Sequence, residues 1–183
     1  MKYEHTGMLD ELNDQSRAQR DAIIAEIHAA FSNVTRGENG ISWAECVAID
    51  NWESEEVCAA ARRSETDSHW SELVDQPDWQ PFPGIGGFNF INAEGFQYYL
   101  PPTIIRFLRG DISEWFPGHL LEFINRFTAP RLIVRWSESQ LRAISRFIAF
   151  MACHDKDELV ESENAWADAM KQRWHAYLPT SGM

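Results

Sequence analysis

Residues 88–110 read FNFINAEGFQYYLPPTIIRFLRG, with alternation, a glycine, a proline pair and a short apolar run in close succession. Phe88 and Phe90 alternate with Asn89 and Ile91, and Phe96, Tyr98 and Leu100 alternate with Gln97 and Tyr99. A period of two is the pattern of a strand. Between the two runs, N-A-E-G offers Gly95 for a positive φ, so the spacing predicts a β-hairpin with Glu94 exposed at its tip. Pro101 and Pro102 cannot donate to a ladder and end the second strand. Pro102 suits a first helical turn, and TIIRFLR continues as a short helix closed by Gly110.

Outward from the hairpin, helix signals dominate. From Gln15 to Val34, residues Ile23, Ile24, Ile27, Ala30, Phe31 and Val34 keep helical spacing, and RGENG ends the run. Ser42 and Glu45 form an S-x-x-E capping box before an apolar segment through Ile49. Ser54 caps a third helix, with Glu55 and Glu56 placed against its dipole. Residues 76–87, with three Pro and three Gly, form a loop. LLEFINRF is a short amphipathic piece, and LIVRW is a brief strand or helix fragment. Ser137 and Gln140 form a second capping box, and Ser162 opens a last helix carrying Trp166, Met170, Trp174 and Tyr177. The fold class expected is α+β and mostly α: six to seven helices packed around one small antiparallel hairpin. Residues 15–178 form a single globular domain, between tails at 1–14 and 179–183.

The pattern GISWAECVAID, the acidic helix after it, the FNFINAEGFQYYLPPTII stretch and the later WSESQLRAISRFIAF resemble an uncharacterised family of small bacterial proteins. Its members share a glycine-turned hairpin ending in an aromatic-Leu-Pro step. The resemblance covers about residues 20–152. It implies the same fold reading and no activity.

Charge bounds the function. The chain of 183 residues carries a net charge of −12. Residues 1–100 hold 18 Asp and Glu against 6 Lys and Arg, a net of −12, whereas residues 101–146 hold 4 against 7, a net of +3. An acidic chain repels phosphate backbones, so nucleic acid is not the expected partner. The basic middle, including Arg106, Arg109 and Arg146, is expected to pair with the chain's own acidic part. No apolar run reaches the roughly 20 residues of a membrane span, and no signal peptide opens the chain. Cys46, Cys58 and Cys153 lack CxxC spacing and read as reduced thiols, which fits a cytoplasmic protein.

Chemical motifs are thin. PGIGG at 83–87 lacks the Gly-Lys-Ser/Thr and the helix of a phosphate loop. Glu65 and His69, with Asp67 near, lack the further histidine of a metal site, and CHDKDE at 153–158 fails as a calcium loop. No metal or cofactor is expected. His28 reads as a structural histidine beside an apolar helix face. Two functions remain. The first is a non-enzymatic binding protein whose acidic face, Asp50, Glu53, Glu55, Glu56, Asp67, Asp75 and Asp78, meets a basic protein, with Trp52 or Trp79 exposed on it. The second is a hydrolase whose His, Cys and carboxylate groups converge only in three dimensions, for example around His69 or His154.

Overall fold

A computed structural model of the protein describes residues 12–81, 87–112, 117–129, 135–154 and 164–179. The helices in chain order are α1 (Asp14–Phe31), α2 (Trp43–Asp50), α3 (Glu55–Ser64), α4 (Ala93–Arg109), α5 (Pro117–Phe127), α6 (Glu138–His154) and α7 (Ala165–Gln172). Short 3₁₀ turns occupy Trp70–Asp75, Gly87–Asn89 and Trp174–Tyr177. Among the described residues there is no strand, so the fold is all-α and the expected α+β class with its hairpin is wrong.

The error lies in the N-A-E-G step. Asn92 is an N-cap, not a hairpin residue: its side chain accepts the Gly95 N–H at 3.0 Å, and Ala93, Glu94 and Gly95 are already helical. The same Asn92 oxygen accepts from Ile41 N–H at 3.0 Å, and its amide donates to the Asn39 carbonyl at 2.7 Å. One side chain thus starts α4 and ties it to the loop before α2. Gly95 serves close approach instead of a turn, since a Cβ there would stand 2.6 Å from the Ile41 carbonyl oxygen. Glu94 lies in the first turn of α4, where its charge favours the helix dipole.

The period-two alternation misleads because α4 is buried on all sides. Every residue from Gly95 to Leu108 except Gln97 is buried. A helix without a polar face shows no 3.6-residue pattern, and its sequence cannot be told from a buried strand by periodicity. Pro101 and Pro102 sit inside it, although a mid-helix proline removes an i→i−4 bond and costs about 3 kcal/mol. Burying the aromatic and aliphatic side chains on either side, at roughly 1.5–3 kcal/mol each, outweighs that. Gly110, at φ 77°, closes the helix as expected, and Asp111 N–H returns to the Arg106 carbonyl at 3.0 Å.

Around this central helix, α1 packs on α4 and α6, α6 on α7, and the Trp70–Asp75 turn on α4. An aromatic chain links them: Trp43 edges Phe88 at 5.4 Å, Phe88 edges Phe96 at 5.0 Å, and Phe96 stacks on Phe127 at 4.5 Å. The basic middle pairs partly with the acidic part as expected, through Arg109–Asp75 at 2.7 Å and Arg146–Glu26 at 2.8 Å. Both capping boxes form. Ser42 and Glu45 exchange bonds before α2, and Ser137 and Gln140 exchange bonds of 3.0 and 3.2 Å before α6. Asn164 caps α7; Ser162, most of PGIGG, most of LIVRW and residues 155–158 of CHDKDE lie outside the described residues. No helix among the described residues is long and apolar enough to cross a membrane.

Candidate functional site

Helices α2 and α3 form an antiparallel-type corner joined by Asn51–Ser54. Glu53 N–H bonds to the Ala48 carbonyl at 3.0 Å and Trp52 N–H to the Ile49 carbonyl at 3.0 Å. These are the two bonds of a Schellman C-cap, and they put Trp52 at the left-handed position. Its φ is 57°, the one positive φ of a non-glycine residue among the described residues. Glycine normally takes this place, because a side chain there costs roughly 1–2 kcal/mol. Here the place holds the largest side chain, and the indole is 91% exposed. Trp52 therefore costs stability twice, in backbone strain and in hydrated apolar surface.

Ser54 begins α3 by accepting the Val57 N–H, with Glu55 and Glu56 in the first turn and Arg62 and Arg63 in the last. The charges match the helix dipole at both ends. Despite a marked amphipathic pattern, α3 buries no residue completely, and it packs on α2. A cleft of about 650 Å³ remains between the two helices, lined by Ile49, Trp52, Glu53, Glu55, Cys58 and Ala59. Arg62 and Arg63 lie at its other end. Arg62 is committed to Glu45 through bonds of 2.6 and 2.7 Å, a bidentate pair that raises the guanidinium pKa and fixes α3 on α2.

The seven expected partner-binding carboxylates separate into two groups. Asp50, Glu53, Glu55 and Glu56 lie within four residues of Trp52 at the α2–α3 corner, and none makes an ion pair among the described residues. Asp75 and Asp78 are exposed, but Asp75 is already engaged by Arg109. Asp67 is not a surface group. Its side chain is 7% exposed, accepts from the Tyr98 hydroxyl at 2.5 Å and lies 3.9 Å from Arg36. Of the two tryptophans expected on the face, Trp52 is exposed and Trp79 is buried, stacked on Tyr99 at 6.1 Å.

Asp67 belongs to an interior polar cluster. Glu65 accepts from Arg36, from the Tyr99 hydroxyl at 2.6 Å and from Ala44 N–H. Tyr99 in turn accepts from Trp43 N–H at 2.9 Å. Burial pushes the Tyr98 and Tyr99 hydroxyls well above the ordinary phenol range, with the hydrogen bond to Asp67 and the Glu65 charge adding to it. Burial opposes the Arg36 charge, but Tyr99 and the two carboxylates outweigh it and hold the guanidinium firmly ionised. A cavity of about 190 Å³ adjoins the cluster, bordered by Glu65, Asp67, Trp79 and Tyr99. Every acid there is bonded within the fold, so the cluster acts as a clamp joining α4 to the segment after α3.

Among the described residues, the histidines named for hydrolysis are each held by structural contacts. His69 Nδ1 accepts from Ser71 N–H at 3.2 Å, and its other nitrogen, carrying the proton, donates to the Ser32 carbonyl at 3.0 Å. It caps the Trp70–Asp75 turn. His154 packs on Phe150 at 4.4 Å, and His28 packs on Trp70 at 5.2 Å, with burial lowering its pKa. Burial pushes the Cys46 thiol up to about 12, which removes it as a nucleophile near neutrality. Among the described residues no three His, Cys, Asp or Glu side chains form a group that could hold a metal.

Sequence reasoning named the corner's acids but missed the conformation of Trp52. The missing signal is that nothing in D-N-W-E-S carries the glycine that marks a left-handed cap. The family of unknown function DUF6714 matches residues 19–178. Comparison with curated proteins and with solved structures gives no match.

Proposed function

For this chain, which belongs to the family of unknown function DUF6714, we propose a non-enzymatic role: a docking module that binds a basic protein through the α2–α3 corner. One observation carries the reading. Four carboxylates, Asp50, Glu53, Glu55 and Glu56, lie within four residues of Trp52, which is 91% exposed and held in a conformation that costs stability. Exposed tryptophan is the residue type most enriched in binding hot spots, and strain at a surface outlier points to function. Acids without internal partners raise the encounter rate with a basic surface and reject acidic ones. They are also repelled by anionic bilayers, which favours a protein over a membrane as the partner of the exposed indole.

Capture from the native host by immobilised wild-type protein and by the Glu53→Gln/Glu55→Gln/Glu56→Gln variant tests this. The expected result is a stoichiometric basic protein held by the wild type, released by rising salt and lost in the variant. Identical capture by both proteins, or none by either at low salt, would overturn the proposal.

A further inference from the structure

We infer that the cleft between α2 and α3 is the specificity pocket of this face and takes an amphipathic helix of the basic partner. The inference rests on the docking role proposed above and specifies the chemistry of what docks. The cleft has a charge direction. Along α3 the lining runs from Glu55, next to Trp52 and Glu53 of the turn, through Cys58 and Ala59 to Arg62 and Arg63, with Glu45 of α2 beside Arg62. Arg62 is neutralised by Glu45, whereas Arg63 is exposed and makes no ion pair among the described residues. Arg63 is therefore the cation available to a partner.

Distances along α3 set the pattern required. From Glu55 to Arg62 and Arg63 is seven or eight residues, about 10–12 Å at 1.5 Å per residue. A helix lying beside α3 matches this with Lys or Arg at one position, an apolar side chain one turn on, and Asp or Glu at the second turn. The apolar side chain fills the space between Trp52 and the Cys58–Ala59 stretch of α3. The order is fixed: base toward Trp52, acid toward Arg63. The reversed order sets like charges against each other at both ends and is rejected. A uniformly basic segment meets Arg63 and loses that end.

Selection of a displayed library of random helical peptides on the wild-type protein tests the inference, with enriched peptides re-measured on three variants: Trp52→Ala, Arg63→Glu and Glu53→Gln/Glu55→Gln/Glu56→Gln. The expected result is enrichment of base–apolar–acid at two-turn spacing. Binding should then fall at least tenfold for Trp52→Ala and for Arg63→Glu, all three variants keeping the wild-type melting temperature within a few degrees. Enrichment of generic Lys- and Arg-rich peptides that bind Trp52→Ala and Arg63→Glu as well as the wild type, yet lose the glutamine variant, would overturn the cleft and leave the acidic face standing. No enrichment, or binders indifferent to all three variants, would overturn both.

Discussion

The Tyr99 hydroxyl donates to Glu65 Oε2 over 2.6 Å, fastening the middle of the central helix α4 to the chain just after α3. The two residues lie 34 positions apart in sequence, and the same hydroxyl accepts the Trp43 N–H that opens α2. A single oxygen therefore joins three parts of the fold. Tyr99→Phe should cost roughly 1.5–3 kcal/mol, because it strips a charged acceptor of one donor and leaves the Trp43 N–H buried without a partner. Glu65→Ala should cost more, about 3–5 kcal/mol, since Arg36 is left without its main counter-charge. Urea unfolding measures both. Equal, near-zero effects would show that the clamp is dispensable.

Alkaline pH should unfold the protein earlier than its net charge alone suggests. The folded-state pKa values of Tyr98 and Tyr99 lie above the ordinary 10.0, and that of Cys46 lies near 12 against an ordinary 9.0. In the folded state these groups hold protons that the unfolded chain has released, so stability falls as pH rises. The stability is complete below about pH 9, declines first through Cys46, and declines faster above pH 10 by about 1.4 kcal/mol per pH unit for each tyrosine. Melting temperatures between pH 8 and 11 check the slope. Tyr98→Phe and Tyr99→Phe should each flatten it.

Gly95 should tolerate no side chain, for a reason of space and not of backbone angle. A Cβ would stand 2.6 Å from the Ile41 carbonyl oxygen and 2.7 Å from Ile91 Cγ1. Gly95→Ala should therefore destabilise by about 1–3 kcal/mol, as overpacking does, despite the helix propensity that alanine gains. A turn glycine of positive φ would be intolerant too, but Gly95→Asn separates the cases. Asparagine accepts the left-handed region and relieves a turn, yet here it should be worse than alanine. Thermal melts of the two variants decide the matter.

Trp52→Gly should stabilise the protein. The substitution removes left-handed strain of roughly 1–2 kcal/mol, partly offset by the extra freedom glycine gives the unfolded chain, for a net of about 0.5–1 kcal/mol. For a chain of this length that is about 2 °C in melting temperature. The same change should abolish docking, so stability and binding should move in opposite directions. A destabilised variant would mean that the indole contributes to folding and not to recognition.

Legibility followed the range of the interactions. The serine caps at 42, 54 and 137 and the glycine cap at 110 were readable, because each is completed by partners within five residues. The acids at the α2–α3 corner were readable for the same reason, since the turn and the first turn of α3 are close in sequence. The identity of residues 92–109 was not. Their helix is enclosed by α1 and the Trp70–Asp75 turn, and enclosure erases the polar face from which a helix is recognised.

Local bonding and composition set the starts of α2, α3 and α6, the end of α4 and the net acidity of the chain, and these are legible in the sequence. The tertiary structure alone decided that Asp67 and Trp79 go inside and Trp52 stays out. Asp67 is held by Tyr98, 31 positions away, and Trp79 stacks on Tyr99 and receives the cation of Arg106. Their fates depend on partners that only the packing of α4 brings near. Trp52 is kept outside by the left-handed cap at the end of α2, which directs the chain into α3 without a glycine.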